Sequence, residues 1–286
     1  MSRFLSDRFA TLEAYVPGEQ PQDMQYVKLN TNESPYPPSP RVTERLASGE
    51  IERLQLYPNP LYARLRELLA AHCGVKPENI FLGNGSDEVL SFAFLAFCDK
   101  ENGAVFPDVT YGFYPVFARL YGIPFREVPL RADFTVDPAD YKGNDAMVVL
   151  ANPNAPTGLE LPLDAVEDII RANPDRIVIV DEAYVDFGAV SAVPLTAKYD
   201  NLLVVQTFSK SRSMAGARLG FGIASPALIA DLDQMRYSTN PYNINRLTVA
   251  AGEAARRTRT TILPTAAGSS KPGRRPPGPW RSWALS

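Results

Sequence analysis

The sequence predicts an α/β fold, with a mostly parallel sheet covered by helices on both faces. Three observations predict it. Strand-like and helix-like stretches alternate from about residue 61 to residue 236. The strand-like stretches are continuous apolar runs, such as "RIVIV" (176–180) and "NLLVV" (201–205), without the polar alternation of a half-wet sheet. Turn-forming Gly, Pro and Asn separate them.

The elements follow in order. Residues 1–40 are proline-rich and read as irregular. "LYARLRELLAAHCG" (61–74) spaces its leucines as a helix does and ends at Gly74. "NIFLG" (79–83) reads as a strand and "SDEVLSFAFLAFCDK" (86–100) as the helix after it. "GAVFP" (103–107) is a short strand. "YGFYPVFARLYG" (111–122) is a helix with Pro115 in its first turn, where proline is tolerated. "AMVVLANP" (146–153) is a strand and "LPLDAVEDIIRAN" (161–173) a helix. "RIVIVDEAYVDF" (176–187), "NLLVVQTFS" (201–209) and "ARLGFGIAS" (217–225) are strands. "SPALIADLDQMR" (225–236) is a helix with a serine cap, and "NRLTVAAGEAA" opens another. No internal repeat is present.

Composition narrows the classes. With 45% hydrophobic and 21% charged residues, 286 residues can bury a large core without disulfides. Cys73 and Cys98 read as buried thiols of a reducing compartment; neither a disulfide framework nor a metal site is expected. No apolar stretch has membrane-spanning length and Met1-Ser2-Arg3 opens no signal peptide, so a soluble, cytoplasmic protein is expected, with no membrane partner.

In parallel sheets ligands bind at the carboxyl ends of the strands, so those ends carry the functional reading. After "NIFLG" comes Asn84-Gly85-Ser86-Asp87-Glu88. Glycine at a helix start can cradle an anion on free N–H groups, although alone it reads rather as an ordinary capped turn. The dinucleotide pattern is absent, because residue 88 is Glu. After "AMVVL" comes "ANPNAPTG" (151–158), a turn forced by its prolines. After "RIVIV" come Asp181 and Tyr184; an acid there needs a cationic partner, although caps and metal ligands also occur at such places. After "VVQTFS" comes Lys210, between Ser209 and Ser211, with Arg218 downstream. A lysine so placed can bond a carboxylate, or it can be a nucleophilic amine. An anion cradle, an acid, an amine and aromatic residues such as Tyr111 match the needs of pyridoxal 5′-phosphate: a phosphate site, a lysine for its aldehyde and a carboxylate for its ring nitrogen.

The motifs "YVPGE" (15–19), "KLNTNESPYPPSP" (28–40), "YPNP" (57–60), "LGNGSDEVL" (82–90), "NPNAPTG" (152–158), "DEAYVDF" (181–187), "TFSKSRSMAGARLGFG" (207–222) and "NPYNINRLT" (240–248) occur in this order. Together they resemble the fold-type-I pyridoxal-phosphate aminotransferases, and among these the histidinol-phosphate aminotransferases. The resemblance runs from about Arg8 to about Ala255. It implies that Lys210 bonds the aldehyde and shuttles the proton, that Asp181 pairs with the ring nitrogen, and that Tyr184 and Asn154 reach the phenolate oxygen. Asn154 stands in for the family's usual Asn, because the residue before Pro-Thr-Gly is Ala155. Tyr111 stacks on the ring. Gly85, Ser86, Asp87, Ser209 and Arg218 hold the phosphate. Tyr57 reaches the partner subunit's cofactor in a homodimer, and Tyr15 and Asn32 contact substrate. The implied reaction moves an amino group from glutamate to imidazole-acetol phosphate, giving L-histidinol phosphate. A related aromatic aminotransferase, a threonine-phosphate decarboxylase, and a catalytically inactive remnant remain alternatives. The lone His72 reads as structural.

The implied organisation is an N-terminal arm (1–40), a large cofactor-binding domain (41–255) and a tail (256–286). The tail has six arginines and Lys271 but no acid, whereas the rest carries 22 basic and 32 acidic side chains. Its Pro/Arg/Gly text has no helical or strand period and reads as disordered. It fits a shifted reading frame better than a basic arm, so no nucleic-acid partner is expected. The family's smaller C-terminal domain, with its carboxylate-gripping arginine, is not matched, and the chain reads as truncated.

Overall fold

The computed structural model describes residues 3–9, 12–16, 18–19, 23–24 and 26–256; the 257–286 part of the tail lies outside the described residues. Seven helices and seven strands are present among them. In chain order they are α1 (Pro40–Ala47), α2 (Ala63–Cys73), β1 (Ile80–Gly83), α3 (Ser86–Phe97), β2 (Ala104–Pro107), α4 (Tyr114–Tyr121), β3 (Phe125–Val128), β4 (Met147–Ala151), α5 (Leu163–Ala172), β5 (Val178–Asp181), β6 (Leu202–Thr207), β7 (Gly220–Ile223), α6 (Pro226–Thr239) and α7 (Arg246–Arg256).

One seven-stranded sheet has the order β1-β7-β6-β5-β4-β2-β3. Pairings from β6 through β5, β4 and β2 to β3 are parallel, whereas β7 runs antiparallel to both β1 and β6. Every residue of β5 and β6 is buried. Both faces are covered, because successive strand residues point to opposite sides. Val178, Val180 and Val204 join Leu65, Leu69, Val166 and Ile169 of α2 and α5 on one side. Ile179, Leu203 and Val205 join Phe94, Phe117 and Leu232 of α3, α4 and α6 on the other.

Helix ends follow local chemistry. α2 and α4 stop at Gly74 and Gly122, each in the left-handed region. Ser225 caps α6, its Oγ accepting from the Leu228 N–H. Two elements escape the sequence reading. β3 is an edge strand whose apolar run is broken by Arg126 and Glu127. α1 is eight residues long, begins at Pro40 and buries only Val42. The strand expected over 176–187 stops at Asp181, because the chain turns at Val185–Phe187. Both cysteines are half-buried rather than fully buried. Burial pushes the Cys98 thiol up to about 12, far from a reactive value.

Candidate active site

The strand ends converge on one cavity of about 320 Å³, a size usual for small-molecule sites. Ala151 of β4, Asp181 of β5 and Thr207 of β6 lie on its floor, with Ser86 and Asp87 of α3 on one wall. Ser209, Lys210 and Arg218 come from the segment between β6 and β7.

β7 brings the cradle together. A Cβ on Gly220 would lie 2.2 Å from the backbone nitrogen of Ser86, so only glycine lets β7 press against the start of α3. Gly85, at φ +79°, sits where its own Cβ would meet Arg218 Nη2 at 2.5 Å. The amino end of the twelve-residue α3 thus opens beside a guanidinium. Arg218 Nη2 donates to Asp87 Oδ2 at 2.8 Å, and the other oxygen of Asp87 accepts from the Tyr111 hydroxyl at 2.6 Å. Ser209 is buried, its Oγ accepting from Thr207 Oγ1 at 3.0 Å.

Asp181 is 4% exposed. Its Oδ2 accepts from the Tyr114 hydroxyl at 2.8 Å, and its Oδ1 from the Ala183 N–H at 3.2 Å. Burial pushes its carboxyl up to about 6, against the pull of those two donors. Sequence reasoning missed Tyr114, whose helical position is indistinguishable from a core aromatic.

Lys210 is half-buried, and burial lowers its ammonium below the ordinary value. Its Nζ donates to the carbonyls of Thr31 and Asn32, both at 3.2 Å, and lies 5.6 Å from the centre of the Tyr184 ring. Asn32 Nδ2 donates to the Tyr184 hydroxyl at 2.9 Å. The N-terminal arm therefore closes over Lys210, an arrangement no local sequence signal announces. A second cavity, of about 700 Å³, shares Glu33, Pro153, Ala155, Tyr184 and Lys210 with the first, so Lys210 stands at the junction of the two.

Not every expected residue reaches the cofactor-sized cavity. Ser86, Asp87, Tyr111, Asp181, Tyr184, Ser209, Lys210 and Arg218 line it; Gly85, Asn32, Asn154, Tyr57 and Tyr15 do not, although Asn32 and Asn154 line the larger one. Asn154 is engaged in and around its own turn. Its amide donates to the Val109 carbonyl and to Thr157 Oγ1, and its oxygen accepts from Thr110. Both amide hydrogens already hold the turn around the cis prolines 153 and 156. Tyr57 is 77% exposed and stacks on Tyr242, with ring centres 4.5 Å apart. Tyr15 packs on Phe113 at 4.6 Å. His72 is exposed on α2, with Nε2 3.5 Å from Arg212 Nη2 and no part in either cavity.

The residues fit pyridoxal phosphate. Asp181 is a buried carboxylate with no cationic side chain bonded to it, and a protonated ring nitrogen would supply the missing charge. The α3 N-terminus, Ser209 and Arg218 offer donors to a phosphate. An amine weakened as a base by burial is suited to an aldehyde. Among the described residues no group of His, Cys, Asp and Glu could hold a metal, and no helix is long and apolar enough to cross a membrane.

Comparison with known proteins agrees with this geometry. The family model described as aminotransferase class I and II matches residues 24–262. Histidinol-phosphate aminotransferase 1 of Bradyrhizobium diazoefficiens is 56% identical over 255 residues, covering 89% of this chain and 73% of the relative. The histidinol-phosphate aminotransferase of Brachyspira hyodysenteriae is 53% identical over 253 residues, covering 88% and 72%. The solved histidinol-phosphate aminotransferase of Sinorhizobium meliloti, in complex with pyridoxal-5′-phosphate, superposes with a TM-score of 0.76 at 26% identity, covering 83% of this chain and 66% of the other.

Proposed function

Because the chain belongs to the class I and II aminotransferases, we propose that it is a pyridoxal-phosphate-dependent transaminase of histidine synthesis. It moves an amino group from glutamate to imidazole-acetol phosphate and yields L-histidinol phosphate. The observation that carries the reading is one cavity holding the Lys210 amine, the buried Asp181 carboxylate, the Tyr184 hydroxyl and the Ser86–Ser209–Arg218 cradle. The names of relatives that share about half their residues with the chain support the substrate.

When bound, pyridoxal phosphate supplies an aldehyde that exchanges with amines and a protonated ring that draws electrons from the carbon losing its proton. Asp181 would keep the ring nitrogen protonated; it is a buried carboxylate of the cavity lining, and Tyr114 holds it in place. Lys210 takes and returns the substrate proton, standing where the two cavities meet. Tyr184 donates to the phenolate oxygen, and Asn32 orients its hydroxyl. Tyr111 presents an aromatic face, tethered by Asp87. Gly85, Ser86, Ser209 and Arg218 hold the phosphate, and the larger cavity admits the substrate. Residues 41–255 form the cofactor-binding domain and residues 1–40 the arm over it. The working form is a cytoplasmic homodimer in which exposed Tyr57 serves the partner subunit's site.

Titrating the purified chain with pyridoxal phosphate tests this. A visible band should appear, be lost on borohydride reduction that leaves the cofactor covalently on Lys210, and be absent in Lys210→Ala. Histidinol phosphate should then be turned over in preference to phenylalanine, without release of carbon dioxide from threonine phosphate. Faster turnover of phenylalanine would reassign the substrate; absence of the band would reject the reading.

A further inference from the structure

Resting on the transaminase reading above, we propose that Asp186, acting with Ser211 and Arg212, is a positioning residue that fixes Lys210 against Tyr184. The three belong to two separate turns. Asp186 lies two residues after Tyr184, in the Val185–Phe187 turn that follows β5. Ser211 and Arg212 directly follow Lys210. The Ser211 hydroxyl donates to Asp186 Oδ2, and Arg212 Nη1 lies 3.1 Å from the same oxygen. Arg212 Nη1 also donates to the carbonyl of Thr207, the last residue of β6, at 3.1 Å. One carboxylate oxygen thus joins the end of β6, the lysine turn and the tyrosine turn.

The guanidinium is deeply enclosed. The Arg212 side chain is 2% exposed, and its Cζ lies 4.8 Å from the centre of the Phe208 ring and 5.9 Å from that of Phe221. Its Nε has no hydrogen-bond partner. Stability alone gives no reason for a buried ion pair here, since a well-packed apolar side chain is commonly as stable or more so. What the pair adds is direction. Arg212 Nη1 meets the Thr207 carbonyl and Asp186 Oδ2 at once, so one nitrogen of a guanidinium packed against two rings ties the end of β6 to the tyrosine turn.

The clamp closes a circuit through the reactive groups. Tyr184 continues through the backbone to Asp186, then by hydrogen bond to Ser211 and by the backbone to Lys210. Lys210 Nζ bonds the Asn32 carbonyl at 3.2 Å, and Asn32 Nδ2 returns to the Tyr184 hydroxyl at 2.9 Å. The substrate side of this circuit consists of one arm; the protein side consists of Asp186. Loosening Asp186 therefore changes where the amine of Lys210 stands relative to Tyr184, while the α3 and Arg218 parts of the phosphate cradle share no bond with it and Ser209 is tied to it only at a remove, through Thr207 and Arg212. Proton transfer is steep in distance, and a misplacement of about 1 Å can lower a rate about a hundredfold.

The experiment compares the full chain with Asp186→Asn, Ser211→Ala and Arg212→Lys. All are saturated with pyridoxal phosphate and followed by thermal melting, visible circular dichroism of the bound cofactor, and steady-state kinetics with histidinol phosphate. For Asp186→Asn the expected result is cofactor affinity within about threefold of the parent, altered visible dichroism, and kcat lower by roughly ten- to a hundredfold with KM little changed. Ser211→Ala, which leaves the buried arginine paired, should show the same pattern more weakly and melt as the parent does. Arg212→Lys should lie between them. Unchanged dichroism and kcat in Asp186→Asn and Ser211→Ala would overturn the proposal, as would losses that only track the melting temperature. A parent chain without a cofactor band would reject the transaminase reading and the clamp together; a parent with a band but insensitive variants would reject the clamp alone.

Discussion

The Asp181 carboxyl is pushed up to about 6 and that of Glu182 to about 7, from ordinary values of 3.8 and 4.5, in both cases chiefly by burial. A carboxyl with a raised folded pKa binds more protons in the folded than in the unfolded chain between those values, so stability falls as pH rises through the window. Each shift corresponds to about 3 kcal/mol. The cofactor-free chain should therefore melt at its highest temperature near pH 4 and lose stability from there up to about pH 7. Below that optimum, Glu50 opposes the trend, because Arg45 holds its carboxyl below the ordinary value. A cation against Asp181 removes one part of the loss, so saturation with pyridoxal phosphate should flatten the decline in calorimetric scans. Asp181→Asn should raise the melting temperature of the cofactor-free chain above pH 7 while lowering turnover at least a hundredfold, as expected where function opposes stability. A variant less stable than the parent at pH 8 would contradict the burial argument. Glu182 differs from its neighbour in being fully engaged, accepting from Ser191, Ala192 and Gln206, so its replacement by Gln should lower stability instead.

Among the elements, β7 and α3 depend on each other through Gly220. Adding one methyl there places carbon 2.2 Å from the Ser86 nitrogen, so Gly220→Ala must separate β7 from the start of α3. Overpacking of this kind destabilises by about 1–3 kcal/mol. The affinity for inorganic phosphate, read by isothermal titration, should fall together with the affinity for the cofactor. An intact phosphate affinity would mean that α3 takes no part in the cradle. This close contact marks where the sequence stopped being informative. The Val/Ile/Leu runs of β4, β5 and β6 are legible because both faces of the sheet are buried, and Lys210 and Asp181 stand out as polar residues at their ends. The antiparallel insertion of β7 is illegible, since four residues, two of them glycine, carry no directional signal. Tyr114 is hidden for a related reason: its ring packs in the core and only its hydroxyl does chemistry. The bonds of Asn154 are likewise hidden, since an amide in a proline-rich turn can serve the neighbouring backbone.

For the molecule as a whole, the exposed Tyr57 offers a decisive test of assembly. If it completes the partner subunit's site, Tyr57→Ala and Lys210→Ala chains should each be weak alone and regain activity when refolded together, because mixed dimers hold one site with both residues intact. No recovery on mixing would remove Tyr57 from the site. The position of β7 has one more consequence, in time rather than space. Gly83 pairs with Gly220, 137 residues later in the chain. At about 5–20 residues per second, a ribosome needs roughly 7–27 seconds to deliver the partner of β1. Through that interval β1 and α3 leave the exit tunnel with no sheet to join, while β4, β5 and β6 can pair as they emerge. The phosphate cradle is thus completed only after β4, β5 and β6 can pair, and until then its unpaired strand is the segment most in need of a chaperone.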